Sequence, residues 1–155
     1  MKKILSLIFG LMLFILGGCT ARTIKTEMLS NTPNLVKIEV LPKVDFVGPK
    51  GVSLSIENLT DKVLAIDWNS SSLDGDSIVT DGQMLKNMNT LTPKTVIAPF
   101  STTTKSINKT SNINFSMGQW VESDVIFPVK LVLSVTVDDK QEYIILNLSE
   151  EVKAK

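Results

Sequence analysis

Residues 129–148 read VKLVLSVTVDDKQEYIILNL. Val129, Leu131, Leu133, Val135 and Val137 alternate with Lys130, Val132, Ser134 and Thr136, and a period of two turns one face of a strand to a core and the other to solvent. Asp138-Asp139-Lys140-Gln141 interrupts the pattern, and residues 142–148 resume it. A C-terminal β-hairpin is predicted.

The same alternation recurs toward the N-terminus. Val52, Leu54 and Ile56 alternate with Ser53, Ser55 and Glu57, and Leu64, Ile66 and Trp68 alternate with Ala65 and Asp67, with a polar turn at residues 58–61 between the two runs. Shorter strand candidates lie at 35–40, 77–80, 95–98, 102–107 and 112–115. No long segment carries a helical period; the best short helix is 83–89, where Met84, Leu85 and Met88 share a face. Seven to nine short strands punctuated by Pro33, Pro42, Pro49, Pro93, Pro99 and Pro128 predict an all-β, antiparallel sandwich over residues 35–155, with a small β-barrel as the competing architecture. In strand number, spacing and size the layout resembles an immunoglobulin-like domain without the two core cysteines of the antibody type, Trp68 taking the place of a buried core tryptophan.

Composition excludes several kinds of chemistry. The 155 residues contain no histidine and one cysteine, with 16 basic against 16 acidic side chains and 43% hydrophobic residues. Without histidine there is no Ser-His-Asp triad and no His-ligated metal site. A single cysteine forms neither an internal disulfide nor a thiolate cluster. Balanced charge without a block of Lys and Arg gives no footprint for nucleic acid.

The N-terminus has its own pattern. Lys2 and Lys3 precede an apolar stretch of 13 residues, 4–16, followed by Gly17-Gly18-Cys19. That is the layout of a secretory signal, and it is too short to cross a bilayer core, which needs roughly 20 apolar residues. Leu16-Gly17-Gly18-Cys19 resembles the lipobox of bacterial lipoproteins. The resemblance implies that residues 1–18 are a cleaved signal peptide, with Leu16, Gly17 and Gly18 recognised by the signal peptidase. It also implies that Cys19 carries a diacylglycerol on sulfur and an acyl chain on its new amino group. Several acyl chains anchor stably, since each buried CH₂ contributes about 0.8 kcal/mol and one chain holds only marginally. Thr20, rather than Asp, follows the cysteine, which in Gram-negative members of the family implies delivery to the outer membrane, facing periplasm or exterior. Loss of Lys2 and Lys3 lowers the basic count from 16 to 14 against 16 acidic residues. Residues 19–34, polar and without a sustained period, read as the lipidated N-terminus and a flexible tether of roughly 20 Å reach.

Within the domain, candidate chemistry is sparse. The run 67–76, DWNSSSLDGD, has the densest oxygen ligands, and Asp74, Asp76 and Asp81 are candidate calcium ligands. The spacing fails the EF-hand pattern, and the plainer reading is a strand end followed by an Asp74-Gly75 turn. Ser106-Ile107-Asn108-Lys109 spells the S-x-x-K of penicillin-binding proteins, but the S-D-N and K-T-G partners are missing. Met84, Met88 and Met117 offer thioethers to Cu(I) without a histidine to complete a site. Asp138-Asp139 and Glu150-Glu151 are adjacent in sequence, as solvated turn and tail charges are, rather than facing across a cleft. The expectation is a non-enzymatic envelope module with no cofactor beyond the lipid. It would bind or scaffold a protein partner through sheet edges or residues 68–83. The alternative is a carrier of a small apolar ligand or a calcium ion.

Overall fold

The C-terminal hairpin forms as its alternation requires. In the computed structural model, β10 (Val129–Val137) and β11 (Lys140–Val152) pair in the register Val129↔Leu148 through Val137↔Lys140. The turn shrinks to Asp138-Asp139, both at positive φ, 49° and 60°. Two left-handed residues give the twist that a two-residue hairpin needs, and aspartate tolerates that conformation better than most residues. Val129, Leu131, Leu133 and Val135 of β10 and Ile144, Leu146 and Leu148 of β11 are all buried on one face.

The structure describes residues 22–29, 34–41, 50–80 and 93–152. The helix candidate at 83–89 lies outside them. The remaining strands are β1 (Arg22–Met28), β2 (Val36–Val40), β3 (Val52–Asn58), β4 (Leu64–Leu73), β5 (Asp76–Thr80), β6 (Thr95–Ile97), β7 (Thr102–Lys109), β8 (Ile113–Ser116) and β9 (Gln119–Glu122). Every pairing among them is antiparallel. The main sheet runs β1-β11-β10-β4-β5-β7-β3-β2, with β6 attached to β4, and β8 and β9 form a separate ribbon.

β5 decides the shape. Its first residues, Asp76 and Ser77, pair with β4, and its last three, Ile78 to Thr80, pair with β7. The sheet therefore folds over at β5, and its two edge strands, β1 and β2, come into contact at the far side. The result is all-β and antiparallel, two layers joined through β5 and nearly closed into a barrel. The space between them is filled by side chains from all parts of the sheet, among them Leu54, Ile56, Leu64, Ile66, Trp68 and Leu131, all buried. Trp68 sits in the core as the sequence suggests, its indole N–H donating to Thr95 Oγ1 at 2.8 Å.

The tether reading of residues 19–34 needs correction. Residues 22–28, RTIKTEM, are a strand of the sheet, paired with β11 from Arg22↔Val152 to Met28↔Leu146. Ile24 and Met28 pack against the core while Lys25 and Glu27 are exposed. Three apolar or half-polar inward positions in seven residues are too few to stand out from a linker. The strand is made by what it covers, since β11 would otherwise end the sheet as a bare row of N–H and C=O groups. The domain thus begins by Arg22, not at residue 35.

β9 is likewise absent from the sequence expectation, and β4 and β11 run beyond the stretches whose alternation announced them. Gly51, ahead of β3, is required by close approach: a Cβ there would lie 2.0 Å from the Ile107 carbonyl oxygen.

Candidate functional site

Strand polarity sorts the surface into two ends. One holds the start of β1, the end of β11, the start of β10, the Asp74-Gly75 turn, and the whole of residues 110–128 between β7 and β10. Val125 closes this end from inside, buried, with its N–H donating to the Lys50 carbonyl at 3.3 Å. The base of the β8–β9 ribbon is pinned by amides: Asn108 Nδ2 donates to Ser123 O, and Asn112 Nδ2 donates to Asn108 Oδ1 and to Asp124 O. Beyond that base, Asn114, Phe115, Ser116, Met117 and Gly118 are all exposed, so the ribbon stands clear of the body. Met117 and Gly118 make its turn, at φ 50° and 79°.

The opposite end is organised by Asn58. It occupies the last inward position of β3, where the alternation calls for an apolar residue, and is fully buried. Its Nδ2 donates to the carbonyls of Lys62, Ile97 and Ala98 at 2.7, 3.2 and 3.1 Å. Its Oδ1 accepts from the Thr60 N–H and hydroxyl at 3.0 and 2.8 Å. One side chain thus fastens residues 58–62 to residues 97–98. Lys62 pairs with Asp138 of the hairpin turn at the same end, and Leu59, Val63 and Phe100 are exposed around it.

Between the ends, β4 carries a wide bulge. Its pairing with β10 breaks between Ser134↔Asp67 and Val132↔Ser72, so residues 68–71 lie opposite Leu133 alone. The missing ladder bonds are replaced by a hydroxyl: Ser71 Oγ donates to Asp67 O at 2.7 Å and accepts the buried Ser134 N–H at 2.9 Å. Asn69 and Ser70 loop outward, and Asp67 Oδ1 accepts the Asn69 N–H at 3.1 Å. Partial desolvation pushes the Asp67 carboxyl up, but the Lys94 ammonium and the N–H groups of Asn69 and Ser70 outweigh it and hold the group below its ordinary value. The strand then continues to Leu73, so the turn expected in this run comes only at Asp74-Gly75, with φ 57° and 80°.

The three calcium candidates do not assemble into one site in the described structure. Asp74 is paired with Lys109 at 2.7 Å. Asp76 accepts the N–H groups of Ser77 and Ser111 at 2.8 and 2.9 Å. Asp81 lies outside the described residues. Among the described residues, no three His, Cys, Asp or Glu side chains are grouped as a metal ion would require. Ser106 shares a hydrogen bond with Ser53 across β3 and β7, while Lys109 is engaged by Asp74, so the S-x-x-K residues serve the sheet. Met117 is at the ribbon tip, and Met84 and Met88 lie outside the described residues.

Asp76 is a fastener with a pH dependence. The Ser111 hydroxyl, against some desolvation, and the N–H groups of Ser111 and Ser77 hold its carboxyl below the ordinary value of 3.8. A carboxyl whose pKa is lower folded than unfolded adds stability above the unfolded value and loses it as pH falls through the folded one. Asp76→Asn is therefore expected to be less stable than the parent at neutral pH, with the gap closing in strong acid. Urea midpoints measured across that range check it; a gap independent of pH would assign the loss to shape alone.

A surface groove of about 440 Å³ crosses β1, β11 and β10 and is lined by Lys25, Glu27, Lys130, Asn147 and Ser149 among others. The register puts Glu27, Asn147 and Lys130 in one cross-strand row. The groove lies on the outer face, and the core side is occupied by the protein's own side chains. Of the contact surfaces suggested by sequence, residues 68–80 are mostly interior strands of the sheet, and the edges β1 and β2 face each other. Leu16, Gly17, Gly18 and Cys19 lie outside the described residues; β1 begins three residues after Cys19. No protein-family model, curated protein or solved structure matches the chain.

Proposed function

We propose that this chain is a lipid-anchored protein of the cell envelope. Cys19 carries the diacylglycerol and N-acyl chains that hold it at the outer membrane, and the β domain is a non-catalytic module that binds or scaffolds an envelope protein. The observation that carries the reading is Leu16-Gly17-Gly18-Cys19 behind Lys2, Lys3 and the apolar run 4–16. Five of the described charged side chains lend support, because Asp67, Asp74, Asp76, Lys62 and Lys109 are spent on fastening turns and bulges. A carrier of apolar ligands would want an enclosed apolar space, whereas the groove is open and flanked by Lys25, Glu27 and Lys130. The exposed Leu59, Val63 and Phe100, at the end remote from the start of β1, are a surface on which a protein partner would sit.

Cys19→Ala tests the anchor. The parent chain is expected in the membrane fraction and the variant in the soluble fraction, a nearly complete redistribution; a variant that still sediments with membranes overturns the reading. Crosslinking of the intact protein in its native envelope tests the module. Recovery of one defined protein supports it, and recovery of a bound small molecule instead would make the domain a carrier.

A further inference from the structure

We propose that the ribbon end of the domain docks onto the lipid surface, with Phe115, Met117, Val121 and Ile126 seated at the bilayer interface. The inference rests on the anchor at Cys19. Only Thr20 and Ala21 separate Cys19 from Arg22, the first residue of β1, and the three Cα-to-Cα steps from 19 to 22 reach at most about 10 Å. The start of β1 is therefore tied to the bilayer surface with almost no slack.

That start shares its end of the sheet with the β8–β9 ribbon and residues 123–128. At this end Phe115 is 62% exposed, Val121 44%, Ile126 82%, and Met117 is fully exposed. Large apolar side chains so exposed lose contact with water only if something covers them, and here the lipid is within reach of the chain that leads to them. β11 overhangs β10 by the four residues 149–152, roughly 13 Å at strand rise, and the ribbon is four residue pairs long, a similar length. The exposed apolar group formed by Leu59, Val63 and Phe100 is at the far end, nine residues of β10 or roughly 30 Å away, beyond the reach of the link. Laying the domain on its side would press Lys25, Glu27, Lys130 and Asn147 against the lipid, which costs desolvation of charge. The ribbon end also carries Glu150 and Glu151 on β11 and Lys25 on β1, charges of both signs, so the attraction is apolar and does not call for anionic lipid.

The test uses the full chain, purified from membranes and reconstituted in phosphatidylcholine vesicles. Met117→Cys carries an environment-sensitive fluorophore in one preparation and Phe100→Cys carries it in the other; both positions are exposed, so neither substitution disturbs the core. Docking predicts that the label at 117 emits at shorter wavelength and is quenched several-fold by nitroxide-bearing lipid, while the label at 100 does neither. A label at 117 that stays water-like on protein that floats with the vesicles overturns docking and leaves the anchor standing. One that is shifted but not quenched is covered by protein, a second copy or a partner, and also overturns it. Protein that fails to float, with Cys19 itself taking the label, overturns the anchor and this inference with it.

Discussion

Truncating Trp68 to alanine is expected to cost about 3–5 kcal/mol, the range for removing a large aromatic from a core that relaxes only in part. Trp68 is the largest fully buried side chain described, and its N–H holds Thr95 of β6 against β4. It also opens the bulge, as the first of the four residues 68–71 that lie opposite Leu133 and that Ser71 ties down. Emptying its pocket therefore removes core volume and the packing that lets the bulge hold its shape. Against total stabilities of about 5–15 kcal/mol, that loss is a large fraction of the whole. Urea denaturation measures the loss. Amide exchange at Ser134, whose N–H donates to the Ser71 hydroxyl across the bulge, should accelerate beyond what the global loss explains. Trp68→Phe, keeping most of the volume, is expected to lose far less; equal losses in the two variants would show that the hydrogen bond to Thr95 dominates instead.

Asn58→Ala is the second large loss, for a different reason. The side chain satisfies three carbonyls with one amide nitrogen and takes two donors from Thr60 on its oxygen. Leaving a buried polar group without its partner costs about 1–3 kcal/mol each, and the carbonyls of Ile97 and Ala98 belong to the segment that β4 must keep paired. A loss of about 3–4 kcal/mol is expected, with water replacing some of the bonds. Asn58→Asp separates the donors from the shape. An ionised carboxylate facing three carbonyls is repelled, so its pKa is raised in the folded protein, and a raised pKa adds stability as pH falls. The aspartate variant is thus expected to be worse than alanine at neutral pH and to recover toward the parent as pH is lowered. Denaturation midpoints at two pH values settle the matter; an aspartate variant insensitive to pH would mean that the amide donors are not what holds the corner.

These two sites differ in how far the sequence announces them. Trp68 continues the alternation of Leu64 and Ile66, so its burial is read from spacing alone. Asn58 stands in the turn expected at 58–61, where a polar residue needs no explanation, and its importance depends on carbonyls about 40 residues away in the chain. The bulge in β4 is hidden for a similar reason. A strand end and a bulge share the same Asx and Ser vocabulary, and the distinction lies in whether Ser71 finds Ser134 on a neighbouring strand. β1 could not be read because a strand that covers an edge draws its hydrogen bonds from its partner and needs only Ile24 and Met28 to face inward.

The sequence by itself determined the local decisions. Period-two alternation needs no partner to be legible, since a pleated chain sorts its side chains to two faces whatever it pairs with, and it sufficed for an all-β antiparallel domain and for the C-terminal hairpin. The anchor proposed at Leu16–Cys19 likewise rests on linear sequence. The tertiary structure decided everything that joins distant segments: that β5 pairs both ways and folds the sheet over, that residues 22–28 close an edge instead of spacing a tether, and that the start of β1 shares an end with Phe115, Met117 and Ile126. Those are questions of which strand lies next to which. Hydrogen-bond partners and shared burial answer them, because a strand's own residues specify which way it faces and leave open whom it meets.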